Sequence, residues 1–198
     1  MNLIDLFQGQ LSPEVLQQIG NQIGVQDTRQ IAAASNGIAS TLMAALNKNT
    51  ANPSGLNALV SALDRDHDGG ILDDLMGYVT GQRQPANAST ANGSGILSHI
   101  LGGMQTNVSD MISRVSGLDR SKVAQLATIL APIILGLLGK QRQQSNVSVG
   151  GIGDLLKQTV QTTSQPQMGL LGKFLDRNGD GSVIDDIARM GMDFFLKK

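Results

Sequence analysis

Apolar positions recur at steps of three and four along most of this chain, and the polar interruptions fall where helices would begin and end. Ser12-Pro13-Glu14 has the form of a helix start, with Ser as cap, Pro in the first turn and Glu facing the helix dipole. Val15, Leu16 and Ile19 make its inward face, and it ends near Gly20 to Gly24. Asp27 caps a longer helix in which Ile31, Ser35, Ile38, Leu42, Ala45 and Leu46 mark one buried stripe. Asn52-Pro53-Ser54 starts a third, with Leu56, Leu59, Val60 and Leu63 inward, and Ile71 to Val79 reads as a fourth. Thr80 to Ser94 is polar, rich in Gly, Ser and Asn, and without periodicity, so it reads as a linker.

The second half replays the first. Val25-Gln26-Asp27-Thr28-Arg29-Gln30-Ile31 is echoed by Gly117-Leu118-Asp119-Arg120-Ser121-Lys122-Val123, with an Asp ahead of a long apolar helix each time. Val123, Leu126, Leu130, Ile134 and Leu137 take the places of Ile31, Ser35 (one step off), Ile38, Leu42 and Ala45. A polar break from Gln141 to Gly150 precedes a helix around Ile152 to Val160, and Val183 to Leu196 closes the chain as another. The fold expected is all-α: a tandem-duplicated, irregular helical bundle carrying two DxDxDG-type loops. Residues 1–80 form one unit with an Asp loop at 64–74, residues 81–94 the linker, and residues 95–198 an expanded second unit with its loop at 176–186.

Those loops are the main candidate chemistry. A hard divalent cation takes six to eight oxygen ligands, and acidic or amide side chains at alternate positions of a tight, Gly-containing turn can wrap one. The first loop offers Asp64, Asp66, Asp68, the carbonyl of Gly70 and a closing Asp74; the second offers Asp176, Asn178, Asp180, the carbonyl of Ser182 and a closing Asp186. The twelfth-position Glu of an EF-hand is replaced by Leu75 and Ile187, so closure falls to the earlier pairs Asp73-Asp74 and Asp185-Asp186. Calcium is the cofactor this pattern suggests. The alternative is a metal-free turn in which Asp73 or Asp185 caps the next helix, at the expense of carboxylate repulsion within the loop. His67 occupies a non-ligand slot and is expected to face solvent, and His99 to be half-buried on a helix.

Composition narrows the remaining classes. The 198 residues include no Cys, two His and five aromatics, with a formal net charge of −1. Disulfides and thiolate metal sites are excluded, and the scattered basic residues disfavour nucleic acid. No paired-acid sugar site, nucleophile triad or phosphate loop is present, so no enzyme is expected. The N-terminus lacks a secretory signal, and the apolar run Leu126 to Leu138 is shorter than the roughly 20 residues a membrane span needs. A cytoplasmic protein with no transmembrane segment is the expectation, with signal-less export open. The run reads first as a central core helix kinked at Pro132, and alternatively as a face for self-association or membrane insertion.

The stretch ASNGIASTLMAALNKNTANPSGLNALVSALDRDHDGGILDDLMGY (34–78) resembles the YidB-like family of bacterial proteins. GILSHILGGMQTNVSDMISRVSGLDRSKVAQLATILAPIILGLLGKQ (95–141) and LLGKFLDRNGDGSVIDDIARM near the C-terminus do so too. The resemblance implies compact helical bundles and no established activity, and it transfers no catalytic residue. The expected function is therefore a non-enzymatic helical protein binding calcium through two short loops. The alternative is a self-assembling scaffold, a homo-oligomer joined near helix 126–138 with the loops as staples.

Overall fold

Each early helix start is made by the side chain its sequence marks. Ser12 Oγ accepts the Val15 N–H at 3.4 Å, Asp27 Oδ1 accepts that of Arg29 at 2.9 Å, and Asn52 Oδ1 accepts that of Gly55 at 2.8 Å. Each bond satisfies one of the donors a helix N-terminus leaves open. A computed structural model describes residues 2–85, 87–144 and 148–163 of the chain. They form α1 (Leu3–Gln10), α2 (Pro13–Ile23), α3 (Thr28–Asn49), α4 (Pro53–Asp66), α5 (Leu75–Val79), α6 (Gly93–Leu101), α7 (Gln105–Ser116), α8 (Arg120–Gln144) and α9 (Val149–Thr163). Short 3-10 turns lie at Gly70–Leu72, Ala88–Ala91 and Gly102–Met104, and no strand occurs among the described residues.

The fold is all-helical, and its centre is the pairing of α3 with α8. Ile31, Ile38 and Leu42 from α3 meet Leu126, Leu130, Ile134 and Leu138 from α8, all at most 2% exposed. Burying each such side chain stabilises by about 1.5–3 kcal/mol, so this seam outweighs every polar contact described below. α3 is flanked by α7 and α9, and α8 by α6 and α7. By length and composition α8 could cross a membrane, but 67% of its apolar stretch is buried inside the bundle. It is continuous from Arg120 to Gln144, with Pro132 inside it. Proline has no N–H to give the Thr128 carbonyl, and Gly93 at the start of α6 lies against that carbonyl, where a Cβ would collide with it.

The two halves follow the same order. A short helix, a longer one, a left-handed Gly, a long central helix and a fourth helix run as α1–α2–Gly24–α3–α4 and again as α6–α7–Gly117–α8–α9. Gly24 has φ +71° and Gly117 φ +76°, the backbone that ends a helix most cheaply with glycine. Each faces the other half. Lys122 of α8 donates to the Ile23 carbonyl beside Gly24, and Gln30 of α3, the echo of Lys122, lies against Gly117.

Several expectations need correction. The single helix over Ile71 to Val79 is a 3-10 turn followed by the five-residue α5. His99 lies on α6 as expected but is exposed, because Ile96, Leu97, Ile100 and Leu101 fill the inward face. Within the 81–94 linker, Asn87 Nδ2 and Thr90 Oγ1 both donate to Asp66. α1 was not anticipated, although its Asn2/Asp5 capping box was legible.

Candidate functional site

The acidic loop sits where the first half meets the second, and α8 supplies its seat. Helix α4 continues through Asp66, so Asp64 and Asp66 belong to its last turn rather than to a loop. Residues two apart on a helix do not face each other, and these two carboxylates diverge. Asp64 pairs with Arg142 at the end of α8. Asp66, with a side chain 6% exposed, takes both Arg65 Nε at 2.9 Å and Nη2 at 2.7 Å on one oxygen, and Asn87 Nδ2 at 2.6 Å on the other. The Arg65 bond, with the Arg65 charge and the Asn87 bond adding to it, holds the Asp66 carboxyl below its ordinary range despite burial.

The remaining acids are engaged one at a time. Asp68 Oδ1 accepts the Gly70 N–H at 2.9 Å, an Asx turn that shapes the backbone at Gly69. Asp73 meets Lys140 Nζ at 3.0 Å. Asp74, not Asp73, caps α5, accepting the Gly77 N–H at 2.9 Å with Arg83 3.6 Å from its other oxygen. Four cations, Arg65, Arg83, Lys140 and Arg142, thus answer the repulsion that seemed to ask for a metal. No group of three or more His, Asp or Glu side chains suited to a metal ion occurs among the described residues. As placed, Asp64, Asp66, Asp68, Asp74 and the Gly70 carbonyl do not form the shared oxygen cage a calcium ion needs. Asp176, Asn178, Asp180, Ser182, Asp185 and Asp186 lie outside the described residues.

His67 was expected in solvent and is instead 4% exposed. The reason is the closeness of the loop to α8. The His67 carbonyl lies against Gly139, where any Cβ would collide, and the Ile71 side chain lies over Gly136. The loop backbone therefore rests directly on the helix, with Ile71 and Leu72 buried beside it. Burial, partly opposed by the charges of Asp66 and Asp68, pushes the His67 pKa below its ordinary value, and Nδ1 has no hydrogen-bond partner among the described residues. Neither His67 burial nor the Gly136 and Gly139 seat could be read from local spacing, because the helix involved lies some seventy residues away.

A cleft of about 400 Å³ beside the loop is lined by Tyr78, Arg83, Gln22 and Asn92 among others. It joins no acid to a base or nucleophile in a catalytic arrangement, and its arginine already serves Asp74.

No curated protein and no solved structure matches this chain. A family model described as "Bacterial protein of unknown function (DUF937)" matches residues 5–141, which takes in α3, the acidic loop and α8 as far as Gln141, one residue short of Arg142. The chain belongs to that bacterial family of unknown function.

Proposed function

We propose that this is a non-enzymatic helical scaffold of two copies of one unit, in which the first acidic loop is an electrostatic clasp between the copies. The observation that carries this reading is that five carboxylates within eleven residues each have a separate partner, two of them on the far end of α8. The repeated helix order and the reciprocal contacts at Gly24 and Gly117 support the duplication. Within its family the chain resembles YidB-like proteins, through Asp-His-Asp-Gly (66–69) and Leu-Ala-Pro-Ile-Ile (130–134). The apolar side chains of 126–138, except the half-buried Ala127 and Ile129, are buried within the chain's own bundle, which supports a core role over a self-association face.

A double-mutant cycle on Asp64→Asn and Arg142→Gln tests the clasp by thermal unfolding. Arg142 is mostly buried and Asp64 half-exposed, so the coupling is expected near the upper end of the surface range, about 1 kcal/mol. Strict additivity of the two substitutions rejects the clasp. Calcium capture is the second reading, favoured by the alternating acids. It requires Asp64 and Asp66 to leave Arg142 and Arg65 and converge.

A further inference from the structure

The hollow of about 400 Å³ beside the acidic loop lies where both halves and the stretch between them meet. Gln22 of α2 and Tyr78 and Val79 of α5 come from the first half, Ile129 of α8 from the second, and Arg83 and Ala88 from the stretch that joins them. Its size falls within the roughly 300–1,000 Å³ of small-molecule sites, which favour such junctions. Its walls are fixed by the chain itself. Gly81, at φ +71°, turns the backbone at the end of α5, and the Arg83 N–H returns to the Gly77 carbonyl at 2.9 Å, which keeps Arg83 at the same end of α5 as Tyr78. Farther along, Asn87 and Thr90 donate to Asp66 of α4, and Asn92 Oδ1 caps α6.

The lining carries a single charge. Among the described residues Arg83 is its cation, and no acid lines it. Asp74 faces Arg83 from outside the hollow, but Nη1 stands 3.6 Å from it, an ion-pair distance too long for a hydrogen bond. The guanidinium fork is thus left to take a carboxylate in two parallel bonds. The Tyr78 hydroxyl has no hydrogen-bond partner among the described residues either, and burial pushes its pKa above the ordinary value, so it stays an O–H donor. Val79, Ala88 and Ile129 add apolar wall beside these donors. We propose that this hollow binds a small carboxylate with an apolar body, the carboxylate on Arg83 and Tyr78 and the body against Val79, Ala88 and Ile129. One cation matches one negative charge, whereas the dianion of a phosphate monoester would leave charge unanswered. Asp74 competes with such a ligand for Arg83. The site stands apart from the clasp, since Asp64, Asp73, Lys140 and Arg142 do not line it.

Titration of the full chain, followed by amide chemical shifts, tests this with cinnamate as a planar body and octanoate as a flexible one, each beside its own uncharged amide. At least one carboxylate is expected to saturate in the millimolar range and to shift Tyr78, Val79, Ala88 and Ala91, with its amide about fivefold weaker or more. Arg83→Gln should weaken the carboxylate about tenfold and Tyr78→Phe about threefold. Arg83→Lys should weaken it by less than Arg83→Gln, because it keeps the charge and loses the fork. Asp74→Asn keeps an oxygen for the Gly77 N–H while removing the competing charge, so it should tighten binding about twofold. Neither carboxylate saturating by about 10 mM overturns the proposal. So does a carboxylate bound no better than its amide, or one that Arg83→Gln leaves unchanged. If Arg83→Gln loses the native spectrum, Arg83→Lys and Tyr78→Phe decide instead, and unweakened binding in both overturns the proposal.

Discussion

Replacing Gly139 with alanine separates helix propensity from the seat of the loop, because the two act in opposite directions. A Cβ at position 139 would stand 2.8 Å from the His67 carbonyl carbon and nearer still to its oxygen. Non-bonded carbons settle at about 3.5–4.0 Å, so the loop must withdraw by roughly an ångström. Withdrawal uncovers Ile71 and Leu72, now 7% and 9% exposed. Losing about half the burial of both costs about 1.5–3 kcal/mol, while alanine returns about 1 kcal/mol of helix propensity. The net loss is about 0.5–2 kcal/mol, or roughly 1–8 °C in Tm for a chain of this size. At Gly153 on α9 an added Cβ would meet nothing within 4 Å, so Gly153→Ala is the matched control and should raise Tm. Circular dichroism melts of both variants decide the matter. Gly139→Ala melting at or above the unmodified chain would refute the close approach, and with it the burial of His67.

Two further outcomes follow from the same loop. The His67 pKa in the folded chain lies below its unfolded value of about 6.5, so the unfolded state takes up the proton first. Stability is then full above about pH 6.5 and falls as the pH drops from there through the folded pKa; His67→Gln should flatten this part of a Tm-versus-pH profile, and an unchanged slope argues against a buried neutral imidazole. Asn87→Ala removes the donor on one oxygen of the buried Asp66 carboxylate, with an expected cost of about 1–2 kcal/mol, and limited trypsin digestion should cut faster after Arg83; an unaltered digestion rate would mean that Asn87 does not anchor this stretch.

What the sequence disclosed and what it hid divide by distance along the chain. Ser12, Asp27 and Asn52 cap their helices because a cap bonds an N–H two or three residues on, and that spacing is written locally. The stripes of α3 and α8 were legible for the same reason, since a 3.6-residue period needs no knowledge of the partner. The spacing of the acidic loop is equally local, but its charge balance is not. Lys140 and Arg142 come from the far end of α8, and only the folded chain brings them to Asp73 and Asp64. His67 was assigned to solvent from its slot in a ligand pattern, yet its burial depends on Gly139, a residue whose only contribution is the side chain it lacks. The paired contacts at Gly24 and Gly117 lay between these cases: the echo around Gln30 and Lys122 was visible, but not that each half would reach across to the other.

The central claim is that the first loop is closed by the chain's own cations, and calorimetric titration of calcium into metal-free protein tests it most directly. The unmodified chain and Asp64→Asn should give the same isotherm, because Asp64 is held by Arg142 and contributes no ligand. A binding site present in the unmodified chain and lost in Asp64→Asn would contradict the clasp and establish the loop as a calcium site.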